Sequence, residues 1–335
     1  MLAEFAPVTT SEINRGDDSQ INPGDGEPVA PVATAPLNST HFTPQLIASL
    51  VAVYVFWGST YLAIGRAIAT VPPFIMASMW FLVAGLLLVA WQTIVRRERI
   101  SRKAILPAGI IAFLLLLGGN GGVVWSEKYL SSGMTALLVG AAPFWFVLLD
   151  WLWLKSPRPT LIVTFALILG FFGLALLIYP TLKHSGHPNE FWGAAAVMLA
   201  ALSWSLGSIY SKRVEPHGSP LMVSGLQMLW GSVILAATAL LSGETRGFSF
   251  AAVTAESWYS VLYLIIFGSL VGYTSYIYVL KHATPAVTST YAYVNPVVAV
   301  FLGWALNNEP VHTTTLIAAG LIVVAVIMIS LKKRA

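Results

Sequence analysis

LVGAAPFWFVLLDWLWLKSP (138–157) and YAYVNPVVAVFLGWALNNEP (291–310) lie 153 residues apart, and they agree at Pro143 and Pro296, Trp151 and Trp304, and Pro157 and Pro310. Working outward, the same offset pairs Gly119 with Gly272, Lys128 with Lys281, Thr135 with Thr288 and Thr160 with Thr313. Further towards the N-terminus an offset of 147 takes over and pairs Trp57 with Trp204, Arg66 with Arg213 and Pro73 with Pro220. One six-residue change of register, between the second and third apolar stretches of a half, relates the two offsets. Matches among common apolar residues would carry little, but Trp, Pro and Lys are scarce here and the matches keep their order. The chain is an internal duplication.

From Gln45 onward there are ten apolar stretches, at 46–65, 73–92, 105–126, 133–153, 160–179, 191–211, 221–241, 258–280, 286–306 and 313–331. Each is long enough to cross a bilayer as a helix, the form that satisfies its own backbone in lipid. Runs such as Leu82 to Ala90 and Leu321 to Leu331 do not alternate, which excludes a membrane β-barrel. A repeat unit of five spans is odd, so the second copy must enter the membrane from the opposite side. The expected fold is an all-α membrane protein of ten transmembrane helices in two inverted five-helix repeats. In membrane proteins that arrangement points to a transporter with a midplane site between the halves. The expected divisions are a disordered tail over 1–44, a first repeat over 45–180 and a second over 181–335.

Composition agrees. Of 335 residues 57% are hydrophobic and 10% charged, and the mean hydropathy is +0.76; a soluble domain carries about 25% charged residues, so a water-soluble enzyme is excluded. With no cysteine, disulfides, thiolate metal sites and cysteine nucleophiles are excluded too. A net charge of +4 could suggest nucleic acid, but the 18 Lys and Arg cluster between apolar blocks. With the N-terminus in the cytoplasm, 14 of them fall inside and only Arg66, Lys128, Lys183 and Arg246 outside, so both termini are expected to be cytoplasmic, in a bacterial inner or plasma membrane. Residues 1–44 hold six prolines, six acids and one basic residue, Arg15, a composition that cannot offset the entropy of folding. That tail lacks the basic start and apolar run of a signal peptide.

VFWGSTYLAIGRA (55–67), the following VPPFIMASMWFLVAGLLL (71–88) and YAYVNPVVAVFLGWALNNEP (291–310) resemble the EamA-type members of the drug/metabolite transporter superfamily, and the likeness covers about residues 45 to 331. The resemblance implies ten helices in two inverted repeats around a central cavity, and export or exchange of a small metabolite such as an amino acid. The chain departs from the family at one point: Glu309 fits a glutamate the family often places before the last helix of each half, but the matching residue in the first half is Ser156.

Polar groups within spans are costly and therefore informative. Asp150, near the cytoplasmic end of the fourth stretch and close to Lys155 and Arg158, reads as an interfacial acid more readily than as a proton site. The first stretch and its repeat partner hold no carboxylate of the kind that small multidrug-resistance relatives use. Pro143 and Pro296 remove backbone hydrogen bonds and would free carbonyls near Val139 and Ala292, as paired breaks around one site or as paired packing kinks. Tyr291 and Asn295 share a helix face, as do Trp57 and Tyr61. Trp151, Trp153, Trp192 and Trp258 read as an interfacial belt. Trp57, Trp80, Trp125, Trp204 and Trp230 are deeper or repeated and are candidates for a cavity wall. Gly118, Gly119, Asn120, Gly121 and Gly122 lack the Lys and Ser/Thr of a phosphate loop; they suit close helix packing, with Asn120 bonding across the contact or into a cavity. The expected substrate site is thus Trp57, Tyr61, Trp80, Asn120, Trp125, Pro143, Trp204, Trp230, Tyr291, Asn295 and Pro296. No cofactor and no metal are expected, since no histidines are spaced as a ligand pair and His184 and His187 sit in a Pro-bounded loop. The expected partners are a small-molecule substrate and the lipid bilayer, not nucleic acid, with a homodimer left open. An intramembrane enzyme or a polytopic scaffold are the alternatives, but no nucleophile and base fall together at membrane depth.

Overall fold

A computed structural model of the chain describes residues 40–130, 132–182, 189–214, 217–307 and 313–331. The expected disordered tail up to residue 39, the loop carrying His184 and His187, and Glu309 lie outside the described residues.

All regular structure among the described residues is helical. Among the described residues six helices are long and apolar enough to cross a membrane: α1 (Pro44–Ile68), α2 (Pro73–Val95), α3 (Arg102–Ser126), α7 (Glu190–Arg213), α8 (Pro220–Leu241) and α9 (Ala255–His282). Between α3 and α7 lie α4 (Ser132–Val139), α5 (Ala142–Leu152) and α6 (Leu161–Leu182). After α9 come α10 (Pro285–Thr288), α11 (Tyr291–Asn307) and α12 (Thr313–Leu331). The chain is an integral, multi-pass helical membrane protein.

Helix starts follow local chemistry. Thr43, Ser219, Thr254 and Thr284 each accept a backbone N–H from the first turn of the helix they precede, and three of those helices carry Pro in that turn, where its missing N–H costs nothing. The stretches expected at 133–153 and 286–306 are each broken into two helices, α4/α5 and α10/α11. Pro143 sits in the first turn of α5, directly after the break, whereas Pro296 lies inside α11, past a break at Ser289–Thr290. The two prolines therefore do different local jobs.

α2 and α8 lie side by side with the end of each beside the start of the other. A Cβ at Gly85 would sit 2.9 Å from the Leu229 nitrogen, and one at Gly225 would sit 2.8 Å from Val89, so glycine is what lets these backbones approach. A carboxylate closes each end. Glu98, after α2, accepts from the Ser219 N–H and hydroxyl, both at 2.6 Å, at the start of α8. Glu244, after α8, accepts from the N–H groups of Phe74 (2.8 Å) and Ile75 (3.3 Å) at the start of α2. Acids at helix N-termini meet the unpaired N–H groups and the positive end of the dipole. Elsewhere α6 packs on α12, α3 on α7 and α8, α1 on α9 and α11, and α4 and α5 on α7.

Four segments among the described residues are wound as π-helix within longer helices: Val53–Trp57 in α1, Trp91–Val95 at the end of α2, Phe113–Gly121 in α3 and Leu264–Tyr273 in α9. Wide turns of this kind shift the register of side chains along a helix face and recur at functional sites.

Candidate functional site

The π-segments of α3 and α9 face the two repeated tryptophans. Trp57 on α1 packs against Gly272 of α9, where a Cβ would lie 2.6 Å from the indole Nε1; Trp204 on α7 packs against Gly119 of α3, where a Cβ would lie 2.6 Å from Cε3. Each tryptophan of one half thus occupies the gap left by a glycine of the other, and both partners come from the matched pairs of the sequence. The rings also meet each other, edge to face, with centroids 5.4 Å apart. Tyr276 closes the cluster at 4.9 Å from Trp57 and 5.3 Å from Trp204, and Tyr291 stands edge-on to Trp57 at 5.2 Å.

Hydrogen bonds hold these rings in place. Trp57 Nε1 donates to the Gly268 carbonyl (3.0 Å), Trp204 Nε1 donates to the Tyr276 hydroxyl (2.9 Å), and Tyr273 donates to Gln227 (2.6 Å). Large aromatic surfaces fixed by their polar edges form a rigid wall.

Beside the cluster is a cavity lined by residues of α1, α2, α3, α7, α9 and α11 and by Val139 and Ala142 at the α4/α5 break. Seven of the expected residues line it together: Trp57, Tyr61, Trp80, Asn120, Trp204, Tyr291 and Asn295. Pro143 adjoins the lining residue Ala142, and Pro296 follows Asn295 within α11. Trp125 lies instead against Tyr129, with ring centroids 4.8 Å apart, and Trp230 is 39% exposed and covers Gly109. Among the described residues no Asp, Glu, Lys, Arg or His lines the cavity. Three lining side chains keep a polar atom without a hydrogen-bond partner: the Trp80 Nε1 donor, the Asn120 Oδ1 acceptor and the Ser269 hydroxyl. Leaving such a group buried and unpaired costs about 1–3 kcal/mol, so a donor, an acceptor and a hydroxyl stand ready for a ligand.

Asn295 is more committed than its sequence position suggests. It is buried, and with its amide oriented to suit its neighbours the nitrogen donates to the carbonyls of Tyr54 (3.2 Å) and Tyr291 (3.0 Å). The amide therefore ties α11 to α1 at the cavity edge.

Asp150 is buried and accepts from the Ser156 hydroxyl at 3.1 Å, near Lys212, which donates to the Ala283 carbonyl at 2.7 Å. It lies apart from the cavity lining.

Sequence reasoning missed Ser269, Tyr273, Tyr276 and above all Glu127. Glu127 follows the last residue of α3, yet both carboxylate oxygens are inaccessible and neither has a hydrogen-bond partner. Burial pushes its carboxyl well above the usual carboxylate range. In the sequence it sits in the polar step Ser126, Glu127, Lys128 and so looks solvated; no local signal marks it, because the burial comes from α1. The match of Gly119 with Gly272 was the signal that could have led to Tyr273 and Tyr276, which follow Gly272 on α9.

Known proteins share this architecture and sequence. A solved crystal structure superposes with a TM-score of 0.68 over 86% of this chain and 98% of that one, at 17% identity, a likeness of fold. The uncharacterized inner membrane transporter YedA of Escherichia coli is 34% identical over 290 residues, covering 86% of this chain and 91% of the relative. A chloroplastic WAT1-related protein of Arabidopsis thaliana is 26% identical over 84% of this chain and 68% of its own length. The uncharacterized transporter YoaV of Bacillus subtilis is 25% identical over 85% and 96%. The EamA-like transporter family matches twice, at residues 45–179 and 191–331, and with matches over most of its length the chain belongs to the EamA-like transporter family.

Proposed function

We propose that the chain is a secondary transporter that exports or exchanges a small metabolite by alternating access around the aromatic cavity, with ten membrane crossings in two inverted repeats and both termini in the cytoplasm. The substrate class is a small molecule of no net charge, an amino acid zwitterion among them, with an apolar or aromatic body and at least one donor and one acceptor. The observation that carries this reading is the cavity itself: an uncharged aromatic wall with the polar atoms of Trp80, Asn120 and Ser269 unpaired. A multiply charged substrate such as a sugar phosphate would call for Arg or Lys in the lining.

The packing supports the inverted arrangement. Exchange helices of the first half for their counterparts in the second and the main contacts correspond: α3 on α7 becomes α9 on α1, and α5 on α7 becomes α11 on α1. The Glu98 and Glu244 caps exchange in the same way. A site between two such halves can open to either side by rocking one against the other.

The test compares metabolites in the medium of cells carrying the wild-type chain, the Asn120→Leu variant or no chain. One or more small uncharged or zwitterionic molecules should rise with the wild type and fall back at least about tenfold with Asn120→Leu, the effect of one lost hydrogen bond to the substrate. A medium unchanged by the wild-type chain, in uptake as well as release, would remove the transporter reading.

A further inference from the structure

Tyr61 separates two spaces. On one side it lines the aromatic cavity; on the other it lines a second pocket with Leu62, Gly65, Arg66, Glu127 and Glu256, on the face that carries the ends of α1 and α3 and the start of α9. Within this second pocket the Glu127 carboxyl is enclosed and unpartnered. It faces bare backbone on α1: a Cβ at Gly65 would come within 3.7 Å of Oε2. An ionised carboxylate in that position would have lost its water and gained no donor, a state a protein avoids by protonating the acid or opening a path for water.

We propose that Glu127 is a proton-binding site coupled to the opening of the Tyr61 wall, protonated while the wall is closed and ionised once water enters. The inference rests on the transporter reading, since it makes the wall of that cavity a gate set by pH. Tyr61 and Glu127 line the same pocket. The other charged groups facing the pocket are already engaged: Arg66 pairs with Glu256 at 3.3 Å, and Lys128, next along the chain, is exposed and acts on Glu244. The proton balance is simple. Opening lets the neutral carboxyl give its proton to water on the pocket side, leaving a hydrated carboxylate; closing requires that a proton be taken back from the same water. Each closure therefore binds one proton and each opening returns it to the same side, so the pH of that side sets how readily the wall opens.

The test needs no substrate. The chain has no cysteine, and Leu130, buried in the same pocket wall, can serve as a single-cysteine reporter. Leu130→Cys is placed in the full-length chain in lipid nanodiscs and its labelling rate by a maleimide is followed from about pH 5 to about pH 9, with Glu127 intact and as Glu127→Gln; the ratio of the two rates cancels the pH dependence of the thiol. The ratio should rise about tenfold or more across that range, and Glu127→Asp, which keeps a carboxyl, should retain the rise. Infrared difference spectra at about pH 7 should show a protonated-carboxyl band in the wild type that Glu127→Gln removes. A flat ratio, or no such band, would overturn the proton site and leave the transporter reading standing, whereas an unchanged medium in the metabolite comparison would strike the transporter reading alone.

Discussion

Replacing Gly272 by alanine should disturb the aromatic cluster, and the structure says by how much. The new Cβ would sit 2.6 Å from Trp57 Nε1, 2.8 Å from Trp57 Cδ1 and 2.8 Å from the Phe267 carbonyl, all well inside contact distance. The indole must retreat by about 1 Å to reach a normal separation of roughly 3.5 Å. Its bond to the Gly268 carbonyl, now 3.0 Å, does not survive such a shift. Overpacking costs about 1–3 kcal/mol and the bond about 0.5–1.5 kcal/mol, against a gain of up to about 1 kcal/mol from replacing a helical glycine. The net loss should be about 1–3 kcal/mol. The assay is reversible unfolding of the purified protein in mixed micelles, read by far-UV circular dichroism. Gly119→Ala should behave alike, because its Cβ would meet Trp204 at 2.6 Å, while Gly320→Ala, with nothing within 4 Å, should be neutral or mildly stabilising. In a Trp57→Phe background the smaller ring should reduce the cost of Gly272→Ala, a coupling that a double-mutant cycle measures. Equal stability of Gly272→Ala and Gly320→Ala, or full cost in the Trp57→Phe background, would refute the packing argument.

Asn295→Leu strips the amide that bonds the Tyr54 and Tyr291 carbonyls, so stability should fall by about 1–3 kcal/mol along with transport; a variant with wild-type stability would show that the amide does not tie α11 to α1. Glu127, its carboxyl held by burial well above the usual carboxylate range, binds more protons folded than unfolded, so its contribution to stability should be full below the ordinary carboxylate pKa of about 4.3 and be lost as pH rises through the folded value. Thermal unfolding of Glu127→Gln should lose that part of the slope, and an unchanged slope would contradict the burial of the carboxyl. For orientation, single cysteines at Ser185 and Ser101 should divide, the first labelled by an impermeant thiol reagent on intact cells and the second spared, with the reverse pattern placing the termini outside.

The membrane class was legible in the sequence because a bilayer imposes a length: stretches of some 20 apolar residues cannot be hidden, and each stretch marked from Gln45 onward falls on one helix or, at 133–153 and 286–306, on two in succession. The duplication was legible because Trp, Pro and Gly are rare enough to align, and the structure supplies the reason two of those pairs match: Trp57 lies against Gly272 and Trp204 against Gly119. What needed tertiary structure were properties that depend on a second helix. Whether Trp80 or Trp230 meets the cavity is decided by which face of α2 and α8 turns inward, and helices that are apolar all round carry no amphipathic stripe from which to read it. The amide of Asn295 finds its partner on α1, more than two hundred residues away. Glu127 sits in a polar stretch that reads as solvated interface, and only the placement of α1, with glycine at 65 and Tyr61 one turn before it, takes water from its carboxyl. Burial is a property of packing between segments, so no local pattern encodes it.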